Sequence, residues 1–348
     1  MVWQKPEYSR NQVNRAGQTL CTSNHNDREY QNAIEILNNW RSCHSYPINT
    51  FQATLRQKVE KIDPKAFVAQ RLKRTPAIIS KLQRFTNMKL SRMQDIGGLR
   101  AVVATVKGVY KLEESYKQSR FKHQLVTEQD YIRNPKSSGY RSVHMVYRYR
   151  NDSAAAYNGL LLELQIRTRL QHAWATAVET MGTFLNYSLK SSEGPEQWLN
   201  FFSITGSAFA YLEDCSPLPK YAHLSIQQTF QKVINDAHTL DVKNRLAAFA
   251  VVVDAITQDK RRGSYHLIVL NPEQKTVTIR TYSLKRLEQA NQDYTQEELR
   301  IREGEPIQVV LVSACPIGNL RRAYPNFFLD TGEFVKHLTK IENRQEKN

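Results

Sequence analysis

The chain has 348 residues, 41% hydrophobic and 10% aromatic, which allows a sizeable core and about two domains on a prior of ~150 residues each. No run approaches the ~18 apolar residues of a membrane helix, and the start, MVWQKPEYSRNQVNR, lacks the apolar stretch of a signal peptide, so a cytoplasmic location is expected. The net charge of +16 is uneven: residues 263–348 hold 12 Lys/Arg and 11 Asp/Glu, residues 1–262 hold 37 and 22, so the first part has the composition of a polyanion binder or of a plain basic surface.

In chain order, residues 27–40 place Tyr30, Ala33, Ile34 and Leu37 on one helical face behind Asp27, a candidate N-cap. Residues 50–62 repeat the pattern with Phe51, Leu55, Val59 and Ile62. TPAIISKLQRF predicts a helix with Pro76 at its first position, where the missing N–H is harmless. Around that break lie Arg71, Lys73, Arg74, Lys81 and Arg84, a set suited to wrapping a triphosphate, or equally a solvated helix face.

QDIGGLRAVV follows. Asp95 before a Gly-Gly turn and a buried strand is well placed for Mg²⁺, which needs few protein carboxylates when substrate phosphates complete its shell; in isolation it reads equally as a turn residue. Arg100 opens the strand within reach of a phosphate. Strands are expected at 99–106, 142–150 and 159–168. Between them, DYIRNPKSSGYRSVH presents Lys136, Arg141, hydroxyls and backbone amides to an anion. Tyr140 is placed either to stack a base or to sit in the core.

In ELQIRT the residues Glu163, Gln165 and Arg167 alternate with Leu164 and Ile166, so one strand face carries an acid, an amide and a guanidinium. Such an acid suits a metal ligand or a general base. A helix over 170–185 carries His172, Trp174 and Glu179, of which His172 reads as structural. Residues 226–260 read as long and helical, ending in the basic turn KRRG. Beyond it, a hairpin around Asn271–Gln274, a strand at 306–314 and a helix in TGEFVKHLTKI form a small α+β unit, which puts a boundary near Gly263.

Taken together, RLK…SKLQR, DIGGLR, K…GYRSVH and ELQIRT…WATAVE resemble the synthetase domain of the RelA/SpoT family, densely over residues 65–185. The resemblance implies an α+β fold: a mixed-sheet, nucleotidyltransferase-like core wrapped by helices at 1–262, and a small C-terminal α+β domain at 263–348. It implies transfer of the β,γ-pyrophosphate of ATP to a ribose 3′-hydroxyl with Mg²⁺. By position, Arg71, Lys73, Lys81, Arg84 and Arg100 would hold ATP. Asp95 and Glu163 would bind the metal, with Glu163 alternatively the base and Gln165 and Arg167 in support. Lys136, Tyr140, Arg141 and His144 would shape the acceptor site. The helix reads WATAVET, without the His that often follows the Glu, and the loop reads SSGYRS where Asn-Gly is common; both bear on acceptor choice.

LRRAYPNFFLDTGEF resembles the end of the CapRel-type branch, in which a C-terminal pseudo-zinc-finger domain folds back on a toxic synthetase. The four cysteines, Cys21, Cys43, Cys215 and Cys315, form no CxxC pair, so zinc is not expected. That resemblance implies autoinhibition through Tyr324 and Phe327, release by a phage protein, and the 3′-terminal adenosine of tRNA as acceptor. The alternative is an alarmone synthetase acting on GTP or GDP.

Overall fold

The computed structural model describes residues 3–23, 27–185, 187, 189–248, 255–257, 265–271, 273–274, 276–302, 304–313 and 331–345; the basic turn, Gly263, Tyr324 and Phe327 lie outside them. Three helices come first: α1 (Arg10–Thr22), α2 (Arg28–Cys43) and α3 (Ser45–Ile62). Ser9 and Gln12 form a capping box at α1, satisfying two amides that the first turn leaves open. The α2 stripe predicted from periodicity, Tyr30, Ala33, Ile34 and Leu37, is buried. α3 starts earlier than its periodicity suggests and buries Phe51, Leu55 and Val59.

The remaining elements are β1 (Phe67–Leu72), α4 (Thr75–Arg84), β2 (Gly97–Val103), α5 (Val106–Lys117), β3 (Gln124–Asp130), β4 (Val143–Arg148), β5 (Leu161–Thr168), α6 (Arg169–Leu185), α7 (Glu196–Leu212), α8 (Ile226–Thr239), α9 (Val242–Ala248), β6 (Ala255–Thr257), β7 (Tyr265–Asn271), β8 (Thr276–Tyr282), α10 (Leu287–Arg302), β9 (Gln308–Ser313) and α11 (Gly332–Gln345). The strands form one mixed sheet in the order β3-β4-β5-β2-β1-β9-β7-β8-β6. β2 and β5 run parallel, as do β6 and β8; the other neighbours are antiparallel.

The expected long helix over 226–260 is a correction: it breaks at Asp241, whose φ of 50° leaves the helical region, and residues 255–257 form a strand. The strands assigned to the small C-terminal unit extend the same sheet, because β9 pairs with β1 at Val312 and Arg71. The last helix, α11, packs with α6, α7 and α8: Phe334 is fully buried, its ring 5.4 Å from Phe209 and 6.0 Å from Phe202.

One face of the β1–β5 part of the sheet is apolar. Leu99, Ala101, Val103, Leu162, Leu164, Ile166, Val143 and Met145 meet Phe51, Leu55 and Val59 of α3 and Val109, Leu112 and Tyr116 of α5. The opposite face carries the polar residues. Among the described residues no helix is long and apolar enough to cross a membrane.

Candidate active site

Strand register lines the polar residues up in rows. Arg71 of β1 lies opposite Gly98 of β2, and Gly98 opposite Glu163 of β5. Ala69, Arg100, Gln165 and His144 form the next row, and Phe67, Val102 and Arg167 the third. Residues opposite one another share a face, so Arg71, Arg100, Glu163, Gln165, Arg167 and His144 all project from the side away from α3 and α5. Arg71 and Glu163 are two strand spacings apart, roughly 10 Å. Gly98 between them has no side chain, which leaves the floor of the face open; a Cβ there would meet only Arg71 O, at 3.7 Å.

Asp95 stands at the head of β2, beside this row. Lys73 Nζ donates to its Oδ2 at 2.8 Å and Lys81 Nζ to its Oδ1 at 2.9 Å. Burial works against ionisation of Asp95, but the two ammonium groups more than reverse it and hold its carboxyl far below the usual range. Helical spacing explains the convergence: Lys81 lies on the second turn of α4, whose first turn follows directly on Lys73 and Arg74.

Glu163 belongs to a second chain of contacts. Its Oε1 lies 2.9 Å from His144 Nδ1, its Oε2 accepts from Gln165 Nε2 at 2.7 Å, and His144 Nε2 lies 2.8 Å from the Tyr140 hydroxyl. Burial raises the Glu163 carboxyl, yet the His144 contact outweighs it and brings it to about 2; the charge on Asp95 acts in the opposite sense, which places the two carboxylates within electrostatic reach. Lys136, in the loop before β4, lies within electrostatic reach of Glu163 and Lys81. Burial lowers its ammonium, while the neighbouring Glu163 raises it and Lys81 lowers it. Its Nζ lies 4.5 Å from the Tyr131 ring centroid and 5.4 Å from that of Tyr140.

A third cluster surrounds Glu179 of α6, which pairs with Lys190. Burial opposes the charge on Glu179, and Lys190, Arg71 and Arg100 overcome it, so the carboxyl stays ionised. Arg167 is buried beside His172; burial first, then the Arg100 charge, lower its guanidinium to about 9. Among the residues named here, Arg71, Lys73, Lys81, Arg100, Lys136, Arg167 and Lys190 outnumber Asp95, Glu163 and Glu179 by seven to three, an excess that a polyphosphate would neutralise.

The acceptor loop is fastened to α7. Gly139 has φ +96°, a conformation that glycine adopts without strain, and its backbone lies so near Gly206 that a Cβ there would come within 2.8 Å of Gly139 Cα and O. Ser203 Oγ donates to Ser137 O at 2.9 Å and Trp174 Nε1 to Phe202 O at 2.9 Å.

The structure thus gathers Arg71, Lys73, Lys81, Asp95, Arg100, Lys136, His144, Glu163 and Gln165 on one side of the sheet. Four of the expected residues are placed differently from these. Arg141 is buried, with Nη1 donating to Ile132 O at 2.7 Å and Nη2 to Ser216 O at 2.6 Å, so its donors fasten the loop and do not face an acceptor. Tyr140 is only 9% exposed, with its hydroxyl on His144, so it orients that ring; the more open ring beside it is Tyr131. Arg167 is buried, with its Nη2 against His172 Nδ1 of α6. Arg84 sits at the exposed end of α4, one turn beyond Lys81, over Phe85 at 5.1 Å and 4.0 Å from Glu193.

Tyr131, Lys190 and the whole of α7 escape the sequence reading. Only Glu179 leaves a signal, since it follows His172 and Thr176 at helical spacing on one face of α6.

Residues 70–187 match the family described as the region found in RelA / SpoT proteins. Over 125 residues the chain is 34% identical to the GTP pyrophosphokinase YjbM of Bacillus subtilis, covering 35% of this chain and 59% of that relative. It is 28% identical over 119 residues to the GTP pyrophosphokinase YwaC of the same organism, covering 33% and 56%. The chain thus spans somewhat over half the length of these two relatives. Among solved structures, the crystal structure of the small alarmone synthetase 1 from Bacillus subtilis aligns at 28% identity with a TM-score of 0.43, covering 49% of this chain and 89% of that one.

Proposed function

We propose, from the RelA/SpoT region that this chain carries at residues 70–187, that the protein is an ATP-dependent pyrophosphokinase. The reaction is attack of a ribose 3′-hydroxyl on the β-phosphorus of ATP, with AMP as leaving group and the β,γ-pyrophosphate retained on the acceptor. One observation carries the reading: Asp95, just before β2, and Glu163 of the adjoining β5 stand ionised within electrostatic reach of each other amid Arg71, Lys73, Lys81, Arg100 and Lys136. Phosphoryl-type transfer needs positioning and charge neutralisation more than covalent chemistry.

The donor set fits Mg²⁺: two hard, ionised carboxylates, with room left for phosphate oxygens. Asp95 and Glu163 would hold the ion, and when bound it would neutralise charge developing on the phosphates. Lys73 and Lys81, now on Asp95, are the cations nearest to hand for the triphosphate. A carboxyl held at about 2 is a weak base at neutral pH, so Glu163 is better suited to the metal than to proton abstraction. His144, aligned between Glu163 and Tyr140, is placed to hold or pass on the 3′-hydroxyl proton once an acceptor displaces one of those contacts.

The relatives' names favour a guanosine nucleotide as the acceptor. The charge split of the chain supports a second reading, the 3′-terminal adenosine of tRNA, since a polynucleotide rewards a broad basic surface. With it goes a toxin restrained by residues 263–348 through Tyr324 and Phe327 and released by a phage protein. The test incubates the full chain with Mg²⁺, ATP labelled on the γ-phosphate, and either GDP, GTP or tRNA. Label on guanine nucleotides alone supports the first reading, label on tRNA alone supports the second, and no transfer to any acceptor by either the full chain or its Tyr324→Ala variant refutes pyrophosphokinase activity.

A further inference from the structure

The turn that carries the donor cations is tied down from the far end of the chain. Arg71 is the last residue but one of β1, which ends at Leu72; Lys73 and Arg74 lie in the extended link to α4, and Thr75 begins that helix. The link has no ladder of its own, yet its backbone is held at each step. Lys73 N donates to Ile96 O at 2.8 Å, and Lys73 O accepts from Arg41 Nε at 2.7 Å. Thr75 N then donates to Glu298 Oε1 of α10 at 2.9 Å, across 223 residues of sequence. That amide belongs to the first turn of α4, which lacks intrahelical acceptors, and a carboxylate is the partner that such an end favours.

Glu298 is itself fixed. It is 2% exposed and accepts from the Tyr294 hydroxyl, while the Tyr294 ring lies 4.2 Å from the Arg41 guanidinium that holds Lys73 O. Glu298, Tyr294 and Arg41 therefore close a ring of contacts around residues 73–75, and β9 joins β1 at Arg71 on the other side of the link.

We propose that Glu298 is a positioning residue for the donor nucleotide: through Thr75 it fixes the link that aims Arg71, Lys73 and Arg74, so the C-terminal segment completes the ATP site built by residues 70–84. This rests on the pyrophosphokinase reading for the identity of the ligand, but the contact is tested separately. The experiment uses the full chain with Mg²⁺ and an ATP analogue carrying a methylene bridge between the α- and β-phosphorus, with binding measured by calorimetry alongside KM and kcat. Glu298→Ala is expected to weaken the analogue and raise KM for ATP about tenfold, or ~1.4 kcal/mol, with the acceptor KM within about twofold of wild type. Glu298→Gln, which keeps an oxygen for the Thr75 amide, is expected to recover affinity to within about threefold.

Unchanged analogue binding in Glu298→Ala overturns the proposal, as does a loss of kcat with both KM values constant, the signature of less folded enzyme. If Glu298→Ala does not fold, Tyr294→Phe removes a single hydroxyl from the ring; a two- to fourfold weakening supports the proposal and no change overturns it. If wild type and its Tyr324→Ala variant bind the analogue but transfer no pyrophosphate, the activity is refuted while the variant ratio still decides the clamp; if neither binds the analogue, both are refuted.

Discussion

Gly206→Ala tests how the acceptor loop is held. The new Cβ would lie 2.8 Å from Gly139 Cα and O, where ordinary contact begins at 3.4 Å, so the loop must retreat by roughly half an ångström. It has little slack, because retreat stretches the 2.9 Å bond from Ser203 Oγ to Ser137 O. Overpacking of this size costs about 1–3 kcal/mol, while alanine in a helix interior returns up to ~1 kcal/mol, leaving a net loss of about 0–2 kcal/mol. Stability alone therefore moves little, and the kinetics discriminate. A displaced loop carries Lys136 and Tyr140 with it, so the acceptor KM is expected to rise about tenfold, with KM for ATP constant because the Asp95 cluster is on other elements. Steady-state kinetics with the acceptor identified by label transfer measure both. An unchanged acceptor KM, or a gain of the full helix-propensity term in urea unfolding, refutes the account of the Gly139–Gly206 contact.

Asp95→Asn removes the counter-charge of Lys73 and Lys81; turnover with Mg²⁺ is expected to fall at least ~100-fold, while calorimetry without magnesium shows the ATP analogue bound more tightly than by wild type. Glu163 sits at about 2 against 4.5 for the ordinary side chain, despite burial and because of His144. The stability it contributes is whole above about 4.5 and is lost as pH falls through the folded value. Urea unfolding should therefore show the gap between wild type and Glu163→Gln narrowing from pH 5 to pH 2, by roughly 3 kcal/mol at most; a gap independent of pH sinks the assignment. Arg141→Lys cannot serve both Ile132 O and Ser216 O; unfolding is expected to lose about 1.5–3 kcal/mol, with acceptor KM within about threefold, whereas a selective rise in KM would return Arg141 to the acceptor site.

Local pattern carried much of the site. Period-two alternation in ELQIRT put Glu163, Gln165 and Arg167 on one face, and the β5 register agrees. The Pro76 break marked the start of α4 within one residue. What local pattern could not carry is depth. Arg141, Arg167 and Tyr140 have the chemistry of ligand contacts, but their burial depends on α6 and α7, which approach from elsewhere in the chain. The same limit hides Glu298: nothing near Thr75 in sequence indicates that its amide will meet a carboxylate from α10. The break at Asp241 was hidden for another reason, since the residues around it keep helical composition and only the backbone reverses sign.

The pairing of β9 with β1 also bears on biosynthesis. Strand β1 is complete about 240 residues before Val312 leaves the ribosome, an interval of roughly 10–50 s at ordinary elongation rates. Throughout it the β1 edge of the emerging sheet stays unpaired, a template for wrong partners among neighbouring nascent chains. The charges that ring that border, Arg71 on the strand and Lys73 and Arg74 just past it, repel a second identical edge until the proper strand arrives.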